Sequence, residues 1–255
     1  MGELVSMKQR FREAETLSAT VQWCGHSTVI ITSEDEKRFI IDPWLRGNPS
    51  CPESLHNPPK IDYIVLTHGH SDHSGSILEL AEKHESTIFA NYELANLLVK
   101  DGIPAERIQF MNKGGSVLIP HTGGLMVSLT DAKHSSSYDL RDGSTAYAGE
   151  ACGVVITLES GRNIYHAGDT AVFGDMKLIQ ELFEPELALL PIGDRFTMGP
   201  KQAAKALQLI KPRFVVPIHH STFDLLLGKP EMLRTLIDEL QTKLVVLEPG
   251  EEFEF

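Results

Sequence analysis

The chain has 255 residues, a formal net charge of −12, and 42% hydrophobic against 23% charged residues. These are the proportions of an ordinary soluble globular protein, long enough to bury about three-quarters of its unfolded surface in α/β architecture. The acidic balance argues against a nucleic-acid partner, and no apolar run of about eighteen residues is present to span a membrane.

The first twenty residues mix charged with scattered apolar side chains and lack a hydrophobic signal core, so export is not expected. Residues 20–23, 28–32 and 38–42 read as three antiparallel strands, the last two joined by the polar tip Glu34-Asp35-Glu36-Lys37. Residues 43–59, rich in Pro, Asn and Ser, form a surface loop. A buried strand at 63–66 is followed by a helix over 74–84 with Ile77, Leu78 and Ala81 on its apolar face. Strand 87–90 leads to helix 92–101, which Gly102 terminates. Strands 117–119 and 125–129 flank a Gly123-Gly124 turn, and strands 153–158 and 162–166 flank Ser160-Gly161.

Helix Met176–Phe183, strand Leu187–Pro191, helix 201–210 with Pro200 at its first position, and strand Phe214–Ile218 come next. Helix 231–241 and strand 244–247 close the chain. Strands alternating with helices predict an α/β fold, and no linker divides the sequence, so residues 1–255 are read as one domain. Cys24, Cys51 and Cys152 are odd in number and form no C-x-x-C pair, which fits a reducing cytoplasm better than a disulfide framework.

Directly after the strand at 63–66 the chain reads Thr67-His68-Gly69-His70-Ser71-Asp72-His73. Three imidazoles and a carboxylate in one short loop exceed what packing requires. Neutral imidazole nitrogen and carboxylate oxygen are the usual zinc donors outside thiolate sites. The loop reads as a metal site.

At this motif the chain resembles the metallo-β-lactamase-fold superfamily. That resemblance implies a four-layer αβ/βα sandwich with two pseudo-equivalent halves, although no sequence repeat is visible. It also implies a dinuclear centre, with His68, His70 and His134 on one metal and Asp72, His73 and His219 on the other. Asp169, in Ala167-Gly168-Asp169, is the implied bridging ligand. Two divalent ions, zinc by default with manganese, iron or nickel as alternatives, would lower the pKa of a bound water and so supply a hydroxide nucleophile. Asp72 would bind metal and also orient that water or pass a proton to the leaving group.

Four further residues are candidates around such a centre. Asp42 matches a family position that orients a ligand histidine. His26, in Gly25-His26-Ser27, is placed to point into the site mouth. His220 follows His219 and, in an extended segment, must point to the opposite face, so only one of the two can be a ligand. Arg195 could clamp an anionic substrate group. His166 reads as an inner histidine with satisfied hydrogen bonds.

The segment Gly193-Asp194-Arg195-Phe196-Thr197-Met198-Gly199-Pro200 is similar to small bacterial and archaeal metal-dependent hydrolases related to the ascorbate-6-phosphate lactonases. Dedicated β-lactamases of the fold carry Cys or Ser where this chain has Asp169. The tRNA-processing nucleases carry a basic RNA-gripping arm absent here. Flavin-coupled diiron reductases place Glu at the position of His70, and nothing resembles the glutathione-binding helices of glyoxalase II. The expected activity is hydrolysis of a small-molecule ester, lactone or phosphodiester, in a protein whose oligomeric state is open and includes a homo-oligomer. The alternatives are a non-catalytic metal-binding scaffold, which would be expected to carry damaged ligands, and a phosphodiesterase or nuclease acting on nucleic acid.

Overall fold

A computed structural model describes residues 18–255. Most of the N-terminal stretch read above as lacking a signal core, residues 1–17, lies outside the described residues.

The first sheet collects β1 (Thr20–Trp23), β2 (Val29–Thr32), β3 (Arg38–Ile41), β4 (Tyr63–Val65), β5 (Thr87–Asn91), β6 (Ile108–Met111) and the C-terminal β16 (Glu252–Glu254). Its order is β16-β1-β2-β3-β4-β5-β6. The second collects β7 (Ser116–Leu118), β8 (Met126–Asp131), β11 (Cys152–Thr157), β12 (Asn163–His166), β13 (Leu187–Pro191), β14 (Phe214–Ile218) and β15 (Lys243–Leu244). Its order is β15-β14-β13-β12-β11-β8-β7. A small ribbon of β9 (Ser137–Asp139) and β10 (Thr145–Tyr147) stands apart. The halves repeat one plan: the antiparallel pair β2–β3 continues into parallel β4, β5 and β6, as β11–β12 continues into parallel β13, β14 and β15.

Alternating strand residues explain the layering. Val21, Ile31, Phe39 and Val65 face Val127, Val154, Leu187 and Val216 in a shared core between the sheets. Their neighbours point outward, since successive strand side chains take opposite faces. Ile40, Ile64 and Ile88 lie beneath α2 (Ile77–His84) and α3 (Tyr92–Lys100). Val155, Ala188, Leu190 and Val215 lie beneath α4 (Met176–Phe183), α5 (Pro200–Ile210) and α6 (Pro230–Leu236). The result is the αβ/βα sandwich, with strands buried on both faces as parallel strands require. Each fully buried branched aliphatic side chain contributes on the order of 1.5–3 kcal/mol. Asn91 caps α3 by accepting the Leu94 N–H at 2.9 Å, a contact typically worth about 1 kcal/mol.

Where the elements differ from the sequence reading, the cause is local. The helix expected over 74–84 is split into α1 (Ser71–Ser74) and α2. At the break, the Ser76 N–H donates to the Pro43 carbonyl and the Ser76 hydroxyl accepts from the Leu45 N–H. This anchors the 43–59 loop and keeps His70 to His73 on a separate turn. The last helix stops at Leu236, where Ile237 leaves helical geometry at φ −117°. The strand expected at 244–247 shortens to the edge pair Lys243–Leu244. Strands β6, β9, β10 and β16 escape a pattern reading because each is only three or four residues long and none carries an apolar run.

A candidate dinuclear metal centre

The centre is built at strand ends where the two sheets meet. β4 delivers the His68–His73 loop, and β3 beside it delivers Asp42, whose N–H donates to the Val65 carbonyl at 3.0 Å. Asp42 is fully buried and held at φ +50°, a left-handed conformation uncommon for a residue with a Cβ. Its carboxylate accepts three hydrogen bonds: from the Thr67 N–H at 2.8 Å, the Thr67 hydroxyl at 2.6 Å and His73 Nδ1 at 2.8 Å. His68 Nδ1 lies 3.0 Å from the same Thr67 hydroxyl. Since that hydroxyl spends its proton on Asp42, it accepts from His68. One carboxylate thus holds the Nδ1 proton of both histidines, directly or through Thr67, and turns both Nε2 atoms inward.

The second half supplies the remaining groups. Past β12, Gly168 adopts φ +60° so that Asp169 can turn inward, and a Cβ there would come within 2.8 Å of the Cys152 carbonyl. His166 holds this turn from beneath, with Nε2 donating to the Ser27 carbonyl and Nδ1 accepting from the Gly168 N–H, each at 3.0 Å. Past β8, the loop carrying His134 is tied to the Asp169 loop by Lys133 N–H to the Thr170 hydroxyl at 2.9 Å. Past β14, His219 sits at φ +52° and its N–H donates to the His26 carbonyl at 2.8 Å. Gly193 packs against the His219 carbonyl so closely that a side chain there would collide with it.

These side chains form two adjoining groups, His68 with His70 and His134, and His26 with Asp72, His73 and His219. Within each, donor atoms lie within 4.8 Å of one another. His68 Nε2 is 3.0 Å from His70 Nδ1. Asp169 lies between the groups. Its Oδ2 is 3.1 Å from His219 Nε2 and 3.6 Å from His134 Nε2, and its Oδ1 is 3.3 Å from His73 Nε2.

The electrostatics fit a cation. His73 Nε2 and Asp169 Oδ1 are buried with no hydrogen-bond partner. Leaving such atoms unmatched costs roughly 1–3 kcal/mol each, so acceptors converging in this way call for positive charge. Burial pushes the His68 imidazole well below its ordinary pKa, with the neighbouring His73 adding to the effect. Burial also lowers His70 and His134. At His73 burial again acts downward, but the Asp169 and Asp42 carboxylates outweigh it and hold the group well above the usual range. Burial would raise Asp169, yet His219 and His73 keep it well below the carboxylate range. Mostly neutral imidazoles beside ionised carboxylates are the donor set that nitrogen–oxygen metals take.

The other expected residues divide. Asp42 touches His73, and His26 is fully buried with Nε2 3.1 Å from Asp72 Oδ2. His220 lies outside both groups, stacked on Trp23 with ring centroids 4.9 Å apart. Arg195 is exposed, its guanidinium over the Phe196 ring, and none of its contacts reaches the histidines. Sequence reading missed Thr67, which links Asp42 to His68, and Thr222, whose hydroxyl lies 2.9 Å from His26 Nδ1. It also missed the aromatic wall of Trp44 and Phe223 against the His26 ring. Thr67 could have been singled out by its place at the head of the motif; Thr222 and the wall carry no such signal.

A sequence profile of the beta-lactamase superfamily domain matches residues 37–220, well over half of the chain. A metal-dependent hydrolase of Methanosarcina barkeri is 45% identical over 237 residues, covering 92% of this chain and 97% of that one. The chain belongs to the metal-dependent hydrolases of the metallo-β-lactamase superfamily. Another member of this family, from Rubrobacter xylanophilus, is 44% identical over 241 residues, covering 93% and 98% of the two chains. The solved structure of a metallo hydrolase from Ignicoccus hospitalis superposes on this hydrolase with a TM-score of 0.82 at 34% identity, over 93% and 98% of the chains. The profile match spans His68, His70, Asp72, His73, His134, Asp169 and His219.

Proposed function

We propose that this hydrolase holds two divalent cations and cleaves a small-molecule ester, lactone or phosphodiester. His68, His70 and His134 would hold one cation and Asp72, His73 and His219 the other, with Asp169 shared between them. The observation that carries this reading is the position of Asp169, one carboxylate oxygen facing both His134 and His219 and the other facing His73. Zinc is the expected metal for this donor set, with manganese, iron or nickel as alternatives. When bound, such a pair supplies a hydroxide near neutral pH and a Lewis acid for the substrate's carbonyl or phosphoryl oxygen.

The chain's own residues would do the rest. Asp42 and Thr67 keep His68 and His73 in the tautomer that presents Nε2. The Asp72 side chain is about a third exposed, so it faces incoming substrate while His26 holds one of its oxygens. Burial works to raise Asp72, but its contact with His26 and the nearby His73 hold it below the ordinary carboxylate range. It is therefore ionised at neutral pH and able to accept a proton and return it to a leaving group. Trp44 and Phe223 shield this edge from water and offer an apolar contact to the substrate.

A small molecule is favoured over nucleic acid because the chain is acidic, at −12. A scaffold role is disfavoured because all seven candidate ligands are intact and converge. The test is metal analysis of the native protein combined with a panel of phosphorylated lactones, esters, thioesters and phosphodiesters. Turnover that depends on bound metal supports the reading; absence of turnover on every class would favour the scaffold.

A further inference from the structure

His26 carries the same hydrogen-bond signature as the two histidines that Asp42 organises. Its backbone is pinned at φ +53°, and its carbonyl accepts both the Trp23 indole N–H at 2.9 Å and the His219 N–H at 2.8 Å. The ring is fully buried, 3.9 Å from the His219 ring centroid to centroid. Nδ1 lies 2.9 Å from the Thr222 hydroxyl, which donates its own proton to the His220 carbonyl at 3.3 Å. With the Thr222 proton on that carbonyl, Thr222 would accept from His26 Nδ1, the arrangement that frees Nε2 to join the donor atoms of Asp72, His73 and His219, all within 4.8 Å of one another.

That tautomer leaves Nε2 as a bare lone pair aimed at Asp72 Oδ2, 3.1 Å away. Two acceptors in contact inside the protein repel unless positive charge lies between them.

We infer that His26 is itself a ligand of the second cation through Nε2, so that this position draws on His26, Asp72, His73, Asp169 and His219. Thr222 then serves His26 as Asp42 serves His73, an outer partner that fixes the tautomer and the ring orientation. The inference rests on the dinuclear reading above. It makes the second position richer in imidazole than the motif-bearing loop and the later strand ends provide by themselves.

The competing role is that of a positioning residue, with the proton on Nε2 and a hydrogen bond donated to Asp72. His26→Gln separates the two, because the amide can still donate to Asp72 but is a poor metal ligand. Cobalt(II) is titrated against a chromophoric chelator to obtain two dissociation constants, and the visible absorption bands are recorded at each stoichiometry. The expected result is an unchanged first constant, a second constant weakened about a hundredfold, and altered bands for the second ion. Thr222→Val should weaken the second constant by about tenfold, the lower end for loss of an outer partner. This milder change also decides the matter should His26→Gln fail to fold.

An unchanged second constant and spectrum in His26→Gln, or in Thr222→Val if only that variant folds, would overturn the inference and leave His26 as an orienting donor. Fewer than two cobalt ions in the wild-type protein would instead overturn the dinuclear reading, and this inference with it.

Discussion

Asp42 accepts the Nδ1 proton of His73 across 2.8 Å, with neither side chain exposed to solvent. The two residues stand 31 positions apart, yet β3 and β4 run side by side and bring their ends together. Through Thr67 the same carboxylate also reaches His68, so one residue orders a ligand in each of the two groups. Asp42→Asn keeps the size and tolerates the left-handed backbone, but its amide N–H groups face donors. The variant is expected to weaken affinity for both cations by about ten- to a hundredfold, the usual effect of losing an outer partner. Chelator competition measures it, and a change confined to one cation would argue against the shared role.

Asp72 tests the proton-transfer step. Asp72→Asn retains an oxygen but cannot accept and return a proton. The rate should fall by about two to four orders of magnitude, as removal of a general acid–base group typically does. The loss should be greatest for poor leaving groups. Equal losses for activated and unactivated substrates would restrict Asp72 to binding metal and orienting water.

The aromatic wall makes a separate claim about substrate contact. Trp44 and Phe223 both pack on His26 and on each other. Replacing Phe223, which is partly exposed, with Ala should raise KM several-fold for substrates with apolar substituents and leave kcat nearly unchanged. A fall in kcat with unchanged KM would place Phe223 outside the binding surface.

Protonation of buried imidazoles should shape the stability of the metal-free protein. Burial lowers His220 to about 4, so the unfolded chain takes up a proton near 6.5 before the folded one does. The contribution of this group is therefore full above about pH 6.5 and is lost as pH falls towards 4, up to about 3 kcal/mol over that window. His73 runs the other way. Its raised value adds stability below about 6.5, and that is lost as pH rises through the folded value. His220→Phe keeps an aromatic ring against Trp23 and removes the titration. Denaturant unfolding of chelator-treated protein should show a shallower loss between pH 6.5 and 4 in the variant. Parallel wild-type and variant profiles would contradict the assignment.

Much of this centre is visible in the chain itself. His68, His70, Asp72 and His73 announce themselves because four donors fall in one loop, and Asp42, His134, Asp169 and His219 each follow a strand that reads clearly. The organising hydroxyls are not visible. Thr222 acts on His26 from 196 positions away, and only folding of β14 beside the β1–β2 turn makes them neighbours. His220 illustrates the opposite failure. Its neighbour His219 gave it a candidate role, but the chain leaves β14 at Ile218 and turns at His219 through φ +52°, which lays His220 on Trp23 instead. Among the strands, β16 was hidden because Glu252-Phe253-Glu254 carries a single apolar residue and gains its place by pairing with β1.

The most direct test of the proposed dinuclear centre is anomalous X-ray diffraction from crystals of the zinc-loaded protein, with metal content measured on the same sample. The account predicts two zinc ions per chain, one among His68, His70 and His134 and the other among Asp72, His73 and His219, with Asp169 touching both. In Asp169→Ala, metal content should fall below two per chain as the shared ligand is lost. A single anomalous peak in the wild-type protein, or two fully occupied sites in Asp169→Ala, would contradict it.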